Sequence, residues 1–267
     1  MFIFILACSE QKPVPEQNDK NIGVQIYSVR NELAQNFDST LAKLSEIGFD
    51  YIEAYGLSTD GLLYGMEPSE YKKAVESHGM KLISSHSTYF TVEDAPIMIE
   101  AAKEAGLEYV IIPYLSDDLR NDYDTIAENL NSVGALFKEA GIGFGYHNHE
   151  FEFELTDDGR VPMEILIEGT DPQNVDFQLD LYWVVKAKAD PLEFINKYPG
   201  RFKAFHVKDS DSELNQTTVG TGIVDFKTIL TEQQTSGFEY YFVEDERTDD
   251  PFSNLTNAFN YLQKLDF

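Results

Sequence analysis

Positive charge is what this 267-residue chain has least of: 20 lysines and arginines stand against 47 aspartates and glutamates, a formal net charge of −27. A surface of that sign repels nucleic acid and anionic membrane, so binding either through a basic face is excluded. The chain has one cysteine, which excludes an internal disulfide. No apolar run approaches the ~20 residues that a membrane-spanning helix needs. What is present is a folding composition, 42% hydrophobic and 13% aromatic, in a length that suits one large domain with a substantial core.

The lone cysteine, Cys8, follows a purely apolar start, Met1 to Ala7. Ile5-Leu6-Ala7-Cys8 resembles the lipobox of bacterial lipoproteins, in which the cysteine is lipidated. The polar, proline-containing stretch after it suits a flexible tether. The basic n-region and most of the apolar h-region of a signal peptide are missing. The expectation is a lipoprotein signal remnant and tether over residues 1–20, one folded domain over 21–267, and a lipid-anchored location on the periplasmic side of a bacterial membrane. Without lipidation at Cys8 the expectation is cytoplasmic.

From Asn21 onward, short apolar runs alternate with helical patterns. Strands are read at Ile22 to Tyr27, Phe49 to Ala54, Lys81 to His86, Tyr109 to Pro113, Ile142 to Tyr146, Val175 to Asp180, Phe202 to Val207 and Tyr240 to Glu244. Between and after them, helices are read at Leu33 to Ile47, Glu67 to Ser77, Ile97 to Ala105, Tyr123 to Ala140, Met163 to Glu168, Pro191 to Lys197, Phe226 to Glu232 and Pro251 to Leu265. Thr156 to Arg160 reads as a turn between two short extended pieces. Eight strand–helix units predict an α/β fold, a (β/α)8 TIM barrel. The competing open doubly wound sheet would carry a glycine-rich phosphate fingerprint after its first strand, where Tyr27-Ser28-Val29-Arg30 stands instead.

Four of the strands end in groups that make a poor finish to a hydrophobic core: His147-Asn148-His149 with Glu150 and Glu152, then Asp180, then His206 with Lys208 and Asp209, then Glu244 with Asp245 and Glu246. Barrel active sites lie at this C-terminal face. Glu152, Asp180, His206 and Glu244 offer three carboxylates and one imidazole, a set that suits a divalent ion, with Mn²⁺ preferred and Mg²⁺, Co²⁺ or Zn²⁺ as alternatives. His147 and His149 share strand parity and are candidates for moving a proton or orienting a ligand. Lys208 could neutralise an oxyanion or pair with Glu244 or Asp180. His86, Trp183 and Glu246 are candidate substrate contacts. Glu53 reads as a buried hydrogen-bond partner rather than a catalyst. Val219-Gly220-Thr221-Gly222 reads as a flexible loop, and a bare Gly-x-Gly can be no more than a turn.

YHNHEFEF, LDLYW, HVKD, VGTGIVDF and FVED, in this order and spacing, resemble the sugar phosphate isomerase/epimerase-like branch of the xylose isomerase-like barrels, over nearly everything from Asn21 to Phe267. The resemblance implies a divalent ion held by Glu, Asp, His and Glu from the last four strands, and Asp180, His206 and Glu244 match. The epimerases place a glutamate three residues before the asparagine of the fifth strand; here Gly145 stands there, which leaves Glu152 or His149 to supply the fourth ligand. It also removes one of the two glutamates that exchange protons in the epimerases, so a histidine base, His147 or His149, is expected.

The expected activity is metal-dependent proton abstraction beside a carbonyl of a carbohydrate, giving isomerisation, epimerisation or elimination, with a neutral keto-sugar or 3-keto-glycoside as substrate if the lipobox holds. The alternatives are a non-catalytic carbohydrate-binding lipoprotein on the same barrel and an endonuclease IV-like hydrolase, which the negative charge and scarce histidines disfavour. The expected partner is a small-molecule carbohydrate, with no nucleic acid and no membrane contact beyond the lipid anchor; a homo-oligomer stays open.

Overall fold

A computed structural model describes residues 22–267. Cys8 and the tether lie outside the described residues. Eight parallel strands close into a barrel: β1 Ile22–Gln25, β2 Tyr51–Leu57, β3 Lys81–Ser87, β4 Tyr109–Ile112, β5 Gly143–His147, β6 Asp176–Asp180, β7 Phe202–Val207 and an eighth, Tyr240–Val243, which pairs with both β7 and β1. Helices fill the connections, so the strands are covered on their outer faces and the (β/α)8 expectation holds.

Side-chain alternation along each strand divides the molecule into two compartments. Outward residues such as Phe144 and Tyr146 of β5 join the large apolar layer between sheet and helices. Inward residues at the N-terminal end of the barrel form a small separate plug, in which Ile83, Ala204 and Phe242 pack with Tyr51 and Tyr240. Inward glycines make room for the rings. A Cβ at Gly23 would stand 2.4 Å from the Phe242 ring, and one at Gly143 would stand 2.3 Å from the Tyr109 ring. This plug closes the floor, so polar side chains nearer the C-terminal ends of the strands are sealed from below.

Most helix boundaries follow from local chemistry. Asp122, Asp190 and Asp225 cap helix N-termini with their carboxylates, and prolines open the helices Pro68–Ser77, Pro162–Glu168, Pro191–Lys197 and Pro251–Lys264. The expected helix from Leu33 to Ile47 is broken in two, Arg30–Gln35 and Phe37–Ile47. Asn36 is extended and its side chain accepts the Ser39 N–H at 3.0 Å, restarting the helix there. Thr156 to Arg160 does turn, with the Thr156 N–H on the Arg160 carbonyl at 2.9 Å. The extended pieces expected around it are absent, and Phe151–Phe153 forms a 3-10 turn instead. Four further elements lie outside the periodicity: the 3-10 turn Ile26–Val29, where the first strand was expected to run on to Tyr27, the helices Leu181–Lys186 and Gln233–Ser236, and a two-residue ladder pairing Asp209–Ser210 with Gln216–Thr217.

Candidate active site

The closed barrel brings the predicted strand ends into one mouth. Asp180 and His206 are register partners across β6 and β7, and Glu244 follows the eighth strand with its N–H on the Val207 carbonyl at 3.3 Å. One donor atom from each of Asp180, His206 and Glu244 lies within 4.8 Å of the other two, and all three residues are buried. His206 Nδ1 is 2.9 Å from Glu244 Oε2 and 3.9 Å from Asp180 Oδ2.

Asp180 also serves the backbone. Its Oδ1 accepts the Trp183 N–H at 3.1 Å and so caps the helix Leu181–Lys186, while Oδ2 faces the site. Asn148 braces it by exchanging two hydrogen bonds with its main chain, at 3.0 and 3.3 Å. The asparagine of the HNH sequence is therefore a scaffold for the aspartate.

Beneath the mouth sits a buried polar layer. Glu53 on β2 accepts from Gln25 at 3.0 Å, Ser84 at 2.6 Å and Gln178 at 2.8 Å, and its Oε1 meets His206 Nε2 at 2.5 Å. Gln178 Oε1 in turn meets His86 Nε2 at 2.8 Å and His147 Nδ1 at 2.9 Å. Lys208 Nζ reaches Asp180 at 3.4 Å, Glu244 at 3.1 Å and also Glu246.

These pairings set the charges. Burial acts against ionised Glu53, but the His86 and His206 imidazoles outweigh it and hold the carboxyl well below its ordinary range. Burial likewise opposes charge on His206, yet Glu244 and Glu53 push it up to about 10. Lys208 is held above its ordinary value by Asp180, Glu244 and Glu246 despite complete burial. Asp180 is pushed up to about 6 by burial, with Lys208 and His206 pulling the other way. His147 is driven down by burial and then by the neighbouring His206 and His86, and His149 is lowered to about 3 by burial and Lys208, so both imidazoles are neutral.

Above this layer opens a cavity of about 310 Å³. His86, His147, His149, Glu244 and Glu246 line it, joined by Tyr27, Tyr55 and Tyr114. Sequence alone does not single out the tyrosines; Tyr27 and Tyr55 follow stretches interrupted by Gln25 and Glu53. Trp183 is not among the lining residues. It packs beside Tyr182 and His149, with Lys208 4.8 Å from its ring, and the rings lining the cavity besides the imidazoles are those of tyrosines. Lys208 is also absent from the lining, lying fully buried behind the carboxylates it pairs with.

Glu152 is not brought into the cluster. Residues 151–153 form the 3-10 turn, which swings its carboxylate away from the mouth, where it takes the Tyr146 hydroxyl hydrogen bond and the His149 N–H at 2.7 Å. Burial pushes Glu152 up to about 7 against those hydrogen bonds. A carboxyl raised from 4.5 to about 7 on folding favours the folded state fully only below pH 4.5, and that contribution is lost as pH rises through 7. Between pH 5 and pH 8 the protein should lose on the order of 2 kcal/mol that Glu152→Gln retains. Urea unfolding of both proteins at the two pH values checks this, and parallel pH profiles would refute it.

The Gly-x-Gly loop has a structural occupant. Asp209 accepts the N–H groups of Ser210 at 2.8 Å, Gly220 and Gly222 at 2.9 Å and Val224 at 3.2 Å. A Cβ at Gly222 would stand 2.4 Å from Asp209 Oδ1. The loop wraps the chain's own carboxylate. Asp209→Ala should cost roughly 3 kcal/mol, because four N–H groups of the loop lose the buried carboxylate that accepts them; an unchanged urea midpoint would contradict this.

The family model of xylose isomerase-like TIM barrels matches residues 41–265. This chain belongs to that family. An inosose dehydratase of Geobacillus thermodenitrificans (strain NG80-2) is 22% identical over 85% of this chain and 89% of that protein. One of Lacticaseibacillus casei is 27% identical over 56% of each, so the chain spans little more than half the length of that relative. Among solved structures, a sugar phosphate isomerase/epimerase from Parabacteroides distasonis ATCC 8503 is 29% identical, covers 94% of this chain and 96% of its own, and has a TM-score of 0.80. Within this family, the resemblance read from YHNHEFEF, HVKD and FVED is borne out.

Proposed function

We propose that the protein is a metal-dependent enzyme that removes a proton beside a carbonyl of a neutral carbohydrate. The observation that carries this reading is the cluster of Asp180, His206 and Glu244, three buried donors within 4.8 Å of one another, reaching through Glu244 a cavity walled by imidazoles and tyrosines. Two carboxylate oxygens and an imidazole nitrogen fit a divalent ion of intermediate hardness, Mn²⁺ first and Zn²⁺, Co²⁺ or Mg²⁺ after it. When bound, such an ion supplies Lewis-acid polarisation of a carbonyl and acidifies the neighbouring carbon.

The protein's own groups do the rest. His149 lines the cavity as a neutral imidazole, its Nδ1 without a hydrogen-bond partner among the described residues, and it takes the carbon-bound proton. Lys208 acts from behind: its ammonium fixes Asp180, Glu244 and Glu246 in place and offsets their mutual repulsion. Tyr27, Tyr55 and Tyr114 give the apolar face of a sugar ring something to stack on. The inosose dehydratases among the relatives make elimination of water the reaction to test first, with isomerisation and epimerisation after it.

The lining also speaks for an uncharged substrate. It holds two carboxylates and no lysine or arginine. The nearby Arg30 is engaged with the Glu246 and Tyr27 carbonyls at 2.8 and 3.0 Å. A phosphate would enter beside Glu244 and Glu246 with no lysine or arginine in the described lining to receive it. The test is solvent-deuterium exchange and turnover on a panel of neutral keto-sugars and their phosphorylated counterparts, with the ion supplied. Exchange into neutral members supports the reading. Binding without exchange would sink catalysis, and preference for phosphorylated members would sink the substrate class.

A further inference from the structure

The cluster has three donors, and the position from which the related epimerases draw a fourth is closed here. Gly145 faces inward on β5, and a Cβ there would stand 2.9 Å from both the Asp176 carbonyl oxygen and Ile111 Cδ1. Glu152 is engaged elsewhere, with Tyr146 and the His149 N–H. The strand must therefore find its ligand at another residue, or offer none.

The hydrogen bonds beneath the mouth point to one. Gln178 donates its amide nitrogen to Glu53 Oε2 at 2.8 Å, which fixes which end of the amide is the oxygen. That oxygen can only accept, and it lies 2.8 Å from His86 Nε2 and 2.9 Å from His147 Nδ1. Both nitrogens must then carry hydrogens. A neutral His147 protonated at Nδ1 has a bare lone pair at Nε2, and Nε2 stands 3.8 Å from Asp180 Oδ2. His147 Nε2 and Asp180 Oδ2 thus stand opposite each other, buried and too far apart for a hydrogen bond, with Lys208 Nζ 3.4 Å from the same Asp180 oxygen.

A ring nitrogen and a carboxylate oxygen so placed can both be satisfied by one cation. The 3.8 Å separation matches the 3.9 Å from the same Asp180 oxygen to His206 Nδ1. Both imidazoles therefore flank one Asp180 oxygen, and His147 and His206 also stand with His86 in a second group of three buried donors within 4.8 Å of one another.

Resting on the metal reading above, we infer that His147 is the fourth ligand, through Nε2, and that Gln178 and Glu53 are positioning residues that hold its tautomer and ring orientation. The same Glu53 carboxylate holds His206 from behind at 2.5 Å. One buried acid thereby orients two ligating imidazoles, one directly and one through an amide. This arrangement assigns the two histidines of HNH different work: His147 binds the ion and His149 stays free for the substrate.

The test is binding, measured apart from turnover. Metal-free protein is titrated with Co²⁺, followed by its visible absorption and by competition with a chromophoric chelator. Wild type should take up one ion per chain. His147→Ala should bind at least 100-fold more weakly with an altered cobalt spectrum, His149→Ala within about threefold of wild type, and Gln178→Leu between 10- and 100-fold more weakly, the range for losing a residue that orients a ligand. If His147→Ala does not fold, ¹⁵N-histidine-labelled wild type answers the same question, since the His147 Nε2 resonance should shift on adding Zn²⁺. Wild-type affinity and spectrum in His147→Ala, or an unmoved Nε2 resonance, would overturn the assignment and leave the metal reading intact. A wild type that takes up no ion would overturn both.

Discussion

Lys208→Met should destabilise the metal-free protein by about 3–5 kcal/mol, the cost of removing one partner from a buried ion cluster. Lys208 is fully buried and its ammonium is shared by Asp180, Glu244 and Glu246. Methionine fills nearly the same volume, so the loss is electrostatic and not a cavity effect. Without the ammonium, His206 is the cation left against Asp180 and Glu244. A divalent ion at those carboxylates replaces the missing charge. Adding Mn²⁺ or Zn²⁺ should therefore raise the thermal midpoint of Lys208→Met more than that of wild type. A variant as stable as wild type without metal, or one equally indifferent to it, would show that Lys208 does not carry the charge balance of the site.

The second large effect belongs to His149. His149→Ala should lower solvent-deuterium exchange into substrate by 10²- to 10⁴-fold, the range for removing a positioned general base, while Co²⁺ uptake stays near the wild-type value. His149 lies beyond the end of β5, its ring 5.2 Å from Tyr114, from Trp183 and from His147, so truncation opens space at the rim of the mouth beside His147, which its hydrogen bond to Gln178 still holds. Exchange within tenfold of wild type would move the base to another residue. Loss of the ion in this variant would make His149 a ligand, against the assignment to His147.

Much of this architecture was legible because barrel strands are apolar on both faces until the chain reaches the catalytic end, where charge is tolerated only with a partner. Asp180, His206 and Glu244 announce themselves by interrupting apolar runs, and the closed sheet brings them together. Parity carried the reading as far as the strands last and no further. Glu152 lies five residues past His147, and the 3-10 turn between them turns its carboxylate away from the mouth. Gln178 was overlooked although it stands two residues before Asp180 on the same face. A lone amide inside an apolar strand has no pattern of its own, and its importance lies in linking Glu53 to His86 and His147 across the barrel. Glu53 was read as a buried hydrogen-bond partner, and it is one, to Gln25, Ser84, Gln178 and His206. The ladder at Asp209–Ser210 is too short for periodicity to register, and the VGTG glycines owe their place to Asp209 inside the loop, which no local spacing reveals.

The central claim, that the strand-end cluster holds an ion which makes a carbon-bound proton removable, has one direct test. Protein stripped with a chelator and then reloaded with Mn²⁺ is incubated in deuterium oxide with a neutral keto-sugar that it binds, and deuterium at the carbon beside the carbonyl is followed by NMR. The account predicts incorporation by the reloaded protein and none above background by the stripped protein. Equal incorporation by both would contradict it.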